Sequence, residues 1–375
     1  MIYADNAATT KLSERAFEAM KPFLLDQYAN ASQPYSFSRP AKKALKEARE
    51  IIASAIGAKP EEIYFTSGGT ESDNWAIKST MLAADAGSEV ITSLIEHHAV
   101  LNSVKRIETL GYTARYLPVD RRGLVHISDL SNALTEKTRL VSIMLSNNEV
   151  GTIEPISELA EIAHAKDVLF HTDAVQCIGH IPVNVQKLGV DMLSSSAHKF
   201  HGPKGIGFLY IRDSVKLTPY QDGGAQESDH RAGTENIASI VGMAAALKEC
   251  CRNMEQNQKY ILSLERRLFD ILNASGLDFL TNGAEKHVPG NISLSFKGAQ
   301  GEMLLHRLDL MGICVSTGSA CDSQNTQISH VLKAMQIPEE YLLGTIRISL
   351  CENNSIEEIE KIAISIIKIL GTSLE

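Results

Sequence analysis

Leu140-Val-Ser-Ile-Met-Leu-Ser-Asn-Asn-Glu149, Ile156-Ser-Glu-Leu-Ala-Glu-Ile-Ala-His-Ala-Lys166 and Val168-Leu-Phe-His-Thr-Asp173 follow one another closely in the chain. The first and third are short apolar runs that end in polar residues. The second carries its apolar residues at helical spacing. Strand, helix, strand in this rhythm predicts an α/β fold with a mostly parallel sheet. The alternation extends from about residue 60 to 212, through Glu62-Ile-Tyr-Phe-Thr66 and Glu89-Val-Ile-Thr-Ser93. Residues 235 to 275 read as long helices, and strands resume with Asn291-Ile-Ser-Leu-Ser-Phe296. At the end, Ser355 and Glu358 form a capping-box pattern. Ile356, Ile359, Ala363, Ile366 and Leu370 then recur at helical spacing until Gly371. These patterns predict a large α/β domain over 15–255. A smaller α+β domain is expected from 1–14 and 256–375, with a boundary near residue 255.

Composition narrows the class. A chain of 375 residues exceeds what one small core needs. Hydrophobic residues at 44% and charged residues at 22% are ordinary for a globular protein. A formal charge of -9 argues against general nucleic-acid binding, which needs clustered Lys and Arg. The first residues lack the basic and apolar pattern of a signal peptide. No apolar run is long enough to cross a bilayer. Six scattered cysteines without a C-x-x-C pair predict free thiols in a reducing cytoplasm.

Ligands of an open parallel sheet gather at the carboxyl ends of its strands. Asn147 and Asn148 follow the first run quoted above, and Asp173 and Gln176 follow the third. Ser196, His198 and Lys199 follow Val190-Asp-Met-Leu-Ser-Ser195, and Ser67-Gly-Gly-Thr-Glu-Ser72 follows Thr66. Glycines let backbone N–H groups approach a ligand, and a helix start favours an anion, so a phosphate fits Gly68-Gly69-Thr70. Alone, that turn also fits an ordinary strand-to-helix connection. It is not the G-x-G-x-x-G of a dinucleotide site. A lysine directly after a buried strand is costly unless its amine is used, for example by joining an aldehyde. Lys204 competes, but its Pro and Gly neighbours mark a turn. His198 and His201 form H-x-x-H without a third ligand at a plausible spacing, so no metal is expected. Lysine, carboxylate, phosphate donors and a flat ring from Glu96-His97-His98 together match the needs of pyridoxal 5'-phosphate.

With those residues in place, the chain resembles cysteine desulfurases of the NifS/IscS type. These belong to the class V aminotransferase group of fold-type I pyridoxal-phosphate enzymes. The resemblance runs nearly end to end. It is carried by Tyr3-Ala-Asp-Asn-Ala-Ala-Thr-Thr10, Thr66-Ser-Gly-Gly-Thr-Glu-Ser-Asp-Asn74, Glu96-His-His-Ala-Val100, Asn147-Asn-Glu-Val-Gly151 and His171-Thr-Asp-Ala-Val-Gln176. It continues through Ser196-Ala-His-Lys-Phe-His-Gly-Pro-Lys-Gly205, Arg231-Ala-Gly-Thr-Glu-Asn236, Ser316-Thr-Gly-Ser-Ala-Cys321 and Thr345-Ile-Arg-Ile-Ser-Leu350. The last two are the most specific.

The resemblance implies a role for each matching residue. Lys199 would join the cofactor aldehyde and later move protons at the substrate Cα. Asp173 would face the ring nitrogen, Gln176 the ring hydroxyl, and His97 would stack on the ring and, as a catalytic residue, help in proton transfer. Gly69, Thr70, Ser196 and His198 would hold the phosphate, with Thr234 reaching across from a second subunit of a homodimer. Arg347 would clamp the carboxylate of L-cysteine, assisted by Asn148 and Asn30. Cys321 would take the substrate sulfur as a persulfide, leave alanine, and pass the sulfur to an acceptor protein. Small neighbours keep that thiol accessible. Cys177, Cys250, Cys251, Cys314 and Cys351 read instead as packed residues.

One segment departs from the family pattern. Asn30-Ala-Ser-Gln-Pro-Tyr-Ser-Phe-Ser-Arg39 replaces the usual Asn-Pro-Ser-Ser followed by histidine and glycine, and Tyr35 stands where the histidine is expected. The longer tail with which IscS-type members meet a scaffold protein is also missing from the pattern, which points to a NifS-like enzyme serving another acceptor. A selenocysteine lyase or another C–S lyase on the same scaffold is the alternative. A non-catalytic sulfur carrier would have no use for Lys199, Asp173 and Arg347 together.

Overall fold

The computed structural model describes residues 1–317 and 328–371. Cys321 lies outside the described residues. Seven strands form the large sheet, in the order Ile63–Thr66, Gly207–Ile211, Met192–Ser196, Leu169–Asp173, Thr138–Ser142, Glu89–Ser93 and Thr113–Leu117. Only Gly207–Ile211 runs against its neighbours. The other pairings are parallel, as the alternation predicts. Parallel strands covered by helices on both faces read as unbroken apolar runs. Glu89–Ser93 and Met192–Ser196 depart from that pattern, each carrying three polar residues, yet both are buried along their whole length. The helix of the opening stretch, Ile156–His164, turns Ile156, Leu159, Ala160 and Ala163 into the core.

Residues 235–275 differ from expectation. They hold one helix, Ile237–Asn273, rather than several. The physical reason is the absence of any glycine or proline from Met243 to Ser275. Asn236 caps it by accepting the Ser239 N–H. Residue 255, the expected boundary, falls inside this helix. Ile240, Met243 and Leu247 join the core of the large sheet. Ile261, Leu264, Leu268 and Leu272 join a second core.

The second core packs on an antiparallel sheet of Thr345–Ser349, Asn291–Phe296 and Phe279–Asn282. Ile2–Tyr3 pairs in parallel with Ile313–Cys314 beside it. Helix Ile356–Gly371 closes the chain and buries Ile359, Ile362, Ala363 and Ile366. Its capping box forms as expected. The Ser355 N–H donates to Glu358 Oε2 (3.2 Å) and the Glu358 N–H donates to Ser355 Oγ (3.3 Å).

The first residues link the two cores. The Asn6 N–H donates to the Ser349 carbonyl at 3.2 Å. The Thr10 and Ser13 N–H groups donate to the carbonyls of His198 and His201, each at 2.9 Å. Between these anchors, the carbonyls of Ala7 and Ala8 meet the Lys199 amine at the end of strand Met192–Ser196.

Candidate active site

At that rim lies a cavity of about 620 Å³. Gly69, Thr70, His97, Asn148, Asp173, Gln176, Ser196, His198, Lys199 and Arg347 all line it. A larger cavity of about 930 Å³ lies elsewhere, walled largely by apolar side chains such as Leu124, Ile127, Ile153 and Leu188. It contains none of the residues singled out in the sequence.

The anion end of the smaller cavity is built from backbone. Strand Ile63–Thr66 delivers the chain to Gly68 at φ 147° and ψ -175°, a conformation that is essentially glycine's alone. A Cβ on Gly69 would lie 2.6 Å from Val175 Cγ2, so the turn has no room for a side chain. Helix Gly69–Leu82 starts there, and no side chain caps it. First-turn amides and the helix dipole thus face the cavity beside Ser196 and His198. His198 Nδ1 pairs with Thr9 Oγ1 at 3.1 Å.

Lys199 ends the short turn Ala197–Lys199 that follows strand Met192–Ser196. Its Nζ donates to the carbonyls of Ala7 (2.6 Å) and Ala8 (2.9 Å). Gln176 Nε2 donates to the same Ala7 carbonyl at 3.0 Å. His180 holds the other side of the turn, its Nε2 pairing with the Lys199 carbonyl at 2.8 Å. A lysine at the end of a buried strand is therefore satisfied by backbone oxygens from the first residues of the chain.

Asp173 ends strand Leu169–Asp173 and is 6% exposed. Its Oδ1 accepts the Val175 N–H at 2.9 Å. Burial pushes its carboxyl up to about 6, against the opposing pull of the Val175 N–H and Lys199. The Val175 N–H and Lys199 favour the anion, the form that a partner for a protonated ring nitrogen needs. His97 caps helix His98–Glu108, its Nδ1 accepting the Ala99 N–H at 3.1 Å. That bond fixes the ring and leaves the proton on Nε2. Burial, with Lys199 and His98 nearby, lowers His97 to about 4, so the ring is neutral.

Beneath His97 lies Glu96, fully buried. Its Oε1 accepts from Ser93 Oγ (2.6 Å) and the Met144 N–H (3.0 Å), while Oε2 has no partner. Burial pushes this carboxyl up to about 8, far above its unfolded value of 4.5. The folded state therefore holds a proton that the unfolded state releases between those two values. Its contribution to stability is full below pH 4.5 and is lost as pH rises toward about 8. Gln keeps the neutral shape without the proton. In thermal melts from pH 5 to 9, Glu96→Gln should gain on the wild type by about 1 kcal/mol per pH unit and level off near pH 8. Parallel melting curves would contradict a buried protonated Glu96.

Arg347 sits in strand Thr345–Ser349 and is 5% exposed. Nη2 donates to Asp5 Oδ1 (2.7 Å) and Nη1 to the Asn148 carbonyl (2.9 Å). Its Nε is buried with no partner. A buried guanidinium with an unused donor at a cavity wall is suited to an incoming carboxylate. Ser316, also on the wall, pairs through its backbone with Arg347.

The model of the family described as aminotransferase class-V matches residues 2–362. The chain belongs to this family. Among its class-V relatives is the cysteine desulfurase IscS of Dictyoglomus turgidum, 50% identical over 358 residues, which are 93% of this chain and 89% of the relative. The cysteine desulfurase IscS of Methanosarcina thermophila is 45% identical over 362 residues, 96% of this chain and 90% of the relative. A solved NifS-like protein superposes with a TM-score of 0.93 at 39% identity, over 99% of both chains. SspA in complex with cysteine superposes at 0.84 with 34% identity, over 95% of this chain and 100% of that one. The fold is thus that of the fold-type I class-V enzymes.

Asn30 does not line the cavity, and Thr234, expected from a second subunit, lines a different one in its own chain. Asn30 Oδ1 accepts the Ser32 N–H at 2.8 Å and so closes its own turn. Thr234 lines a neighbouring cavity of about 210 Å³, which shares Ser67 and Gly205 with the larger one. Two residues not singled out are present. Asp5 holds Arg347. Asp73, fully buried on helix Gly69–Leu82, also lines the cavity. Its Oδ1 makes no hydrogen bond and lies 3.6 Å from His171 Nε2. Burial and the neighbouring Asp173 push its carboxyl well up.

Proposed function

We propose that this chain is a cysteine desulfurase that converts L-cysteine to L-alanine with pyridoxal 5'-phosphate as cofactor. One observation carries the reading. Lys199 Nζ, the Asp173 carboxylate, the uncapped start of helix Gly69–Leu82 and the Arg347 guanidinium line a single cavity. The donor set fits the cofactor: the glycine turn leaves backbone amides for a phosphate, and Asp173 sets a carboxyl group in a buried wall beside Lys199. Bound there, pyridoxal phosphate supplies an aldehyde that joins amines and a protonated ring that withdraws electrons from the substrate Cα.

The chain's own residues do the rest. Gly69, Thr70, Ser196 and His198 bind the phosphate, with Thr234 supplied by a second copy in a homodimer. Asp173 keeps the ring nitrogen protonated. His97, locked by its bond to the Ala99 N–H, offers a flat neutral face. Gln176, whose amide donates to the Ala7 carbonyl, would hold the ring hydroxyl. Lys199, positioned by Ala7 and Ala8, removes and returns the proton at the substrate Cα. Arg347 binds the substrate carboxylate with Asn148 beside it. Asn30 joins them only by leaving its own turn. Cys321 attacks the substrate sulfur: the Cβ–S bond breaks, an S–S bond forms on Cys321, and Cβ takes up a proton to give alanine. The persulfide then passes to an acceptor protein.

We also assign residues 15–255 to the cofactor-binding domain and 1–14 with 256–375 to the smaller one, joined by helix Ile237–Asn273. No helix among the described residues is long and apolar enough to cross a membrane. We place the enzyme in the cytoplasm, where its thiols stay reduced.

Steady-state kinetics of Arg347→Lys tests the substrate assignment. A lysine keeps the charge but loses the planar fork. The KM for L-cysteine should rise about 10–100-fold, the worth of one to two charged hydrogen bonds. The kcat should change much less. An unchanged KM would remove Arg347 from the substrate site.

A further inference from the structure

We propose that His201, Cys351 and Glu352 form a binding site for one divalent transition ion of the zinc class. The site lies on the far side of the Lys199 turn, apart from the cofactor cavity. His201 and Glu352 are about 150 residues apart in the chain. The H-x-x-H spacing is misleading here, because His198 faces the cofactor cavity and bonds Thr9. His201 turns away, and its missing partners come from the end of strand Thr345–Ser349.

The geometry is that of a prepared ligand set. His201 is 5% exposed, and its Nδ1 lies 3.0 Å from the Lys11 carbonyl, which can only accept. Nδ1 therefore carries a proton, the way in which a backbone carbonyl orients a metal-binding histidine. Nε2 faces Glu352; against burial, that carboxylate pulls the imidazole pKa upward, so an ion would take the place of a proton on Nε2. Nε2 is buried and makes no hydrogen bond. It lies 3.4 Å from Glu352 Oε1, an ion-pair distance without hydrogen-bond geometry. His201 Nε2, Cys351 Sγ and a Glu352 carboxylate oxygen all fall within 4.8 Å of one another.

Tetrahedral zinc with bonds of about 2.0–2.3 Å needs its ligands roughly 3.5 Å apart, so closure takes about an ångström of movement. One nitrogen, one thiolate and one carboxylate suit zinc better than magnesium or calcium, which prefer oxygen alone. A cavity of about 560 Å³ touches all three residues and gives access for the ion and for a water as fourth ligand. Binding exchanges the Cys351 thiol proton, and the Nε2 proton where His201 is an imidazolium, for the ion, the protons leaving to solvent. His201 is two residues from Lys199, and Cys351 is four from Arg347. An ion here would tie together the two segments that carry the cofactor lysine and the substrate arginine. The proposal does not depend on the desulfurase reading.

The test uses the full-length holoenzyme, stripped with a chelator, and Co²⁺ alone as the first probe. One equivalent of Co²⁺ should give a thiolate-to-cobalt charge-transfer band in difference spectra, displaced by Zn²⁺. The band should vanish in Cys351→Ser and persist in Cys321→Ser. His201→Gln should weaken Zn²⁺ binding by about 10–100-fold. Zn²⁺ should also raise the Tm of the wild type but not of Glu352→Gln, which keeps the test valid if Cys351→Ser folds poorly. No cobalt band in the wild type, or a band that survives Cys351→Ser, would overturn the site and leave His201 and Glu352 as an ion pair only.

Discussion

Lys199→Ala is expected to yield a folded protein whose turnover of L-cysteine falls by about 10³-fold, the middle of the range for a positioned acid–base group. Borohydride should fix pyridoxal phosphate covalently to the wild type and not to this variant. The expectation rests on placement. Ala7 and Ala8 hold the Lys199 amine in the cavity wall by two backbone carbonyls. His180 fixes the backbone of the same turn from behind. Lys204 also lines the cavity, but it is exposed and lies in a Pro-Lys-Gly turn. Lys204→Ala should therefore retain the borohydride label. A label that moves to Lys204, or survives in Lys199→Ala, would reassign the lysine.

Cys321→Ala should bind L-cysteine as the wild type does, because Arg347 and the cofactor residues are intact. Release of alanine and sulfide should nevertheless fall at least about 10²-fold, as the loss of a nucleophile does. The reasoning is one of bonds. Without a thiolate to accept it, the substrate sulfur has nowhere to go when the Cβ–S bond breaks. Binding and turnover must therefore separate in this variant. Full sulfide release by Cys321→Ala would show that sulfur leaves by another route.

Much of the large sheet and its rim could be read from local patterns. The runs ending at Leu145 and Asp173 alternate with a helix in text as they do in space. Polar residues directly after such strands, Asp173, Ser196 and Lys199 among them, have few places to point except one rim. Asp5 could not be read this way. Its partner Arg347 is at the other end of the chain, and a pair joined only by folding leaves no local signal. Asp73 looks like an ordinary polar position of a surface helix. Helix Gly69–Leu82 instead buries Ser72, Asp73, Trp75, Ala76 and Ile77. The expected boundary near residue 255 ran into a helix with nothing in its composition to stop it. Asn30 closes a local turn through its own side chain, a contact that the sequence reading did not anticipate.

Product analysis with L-cysteine and a thiol reductant tests the desulfurase assignment most directly. Alanine and sulfide in equal amounts are expected from the wild-type enzyme. Pyruvate and ammonia in place of alanine, or alanine formed only from selenocysteine, would contradict it.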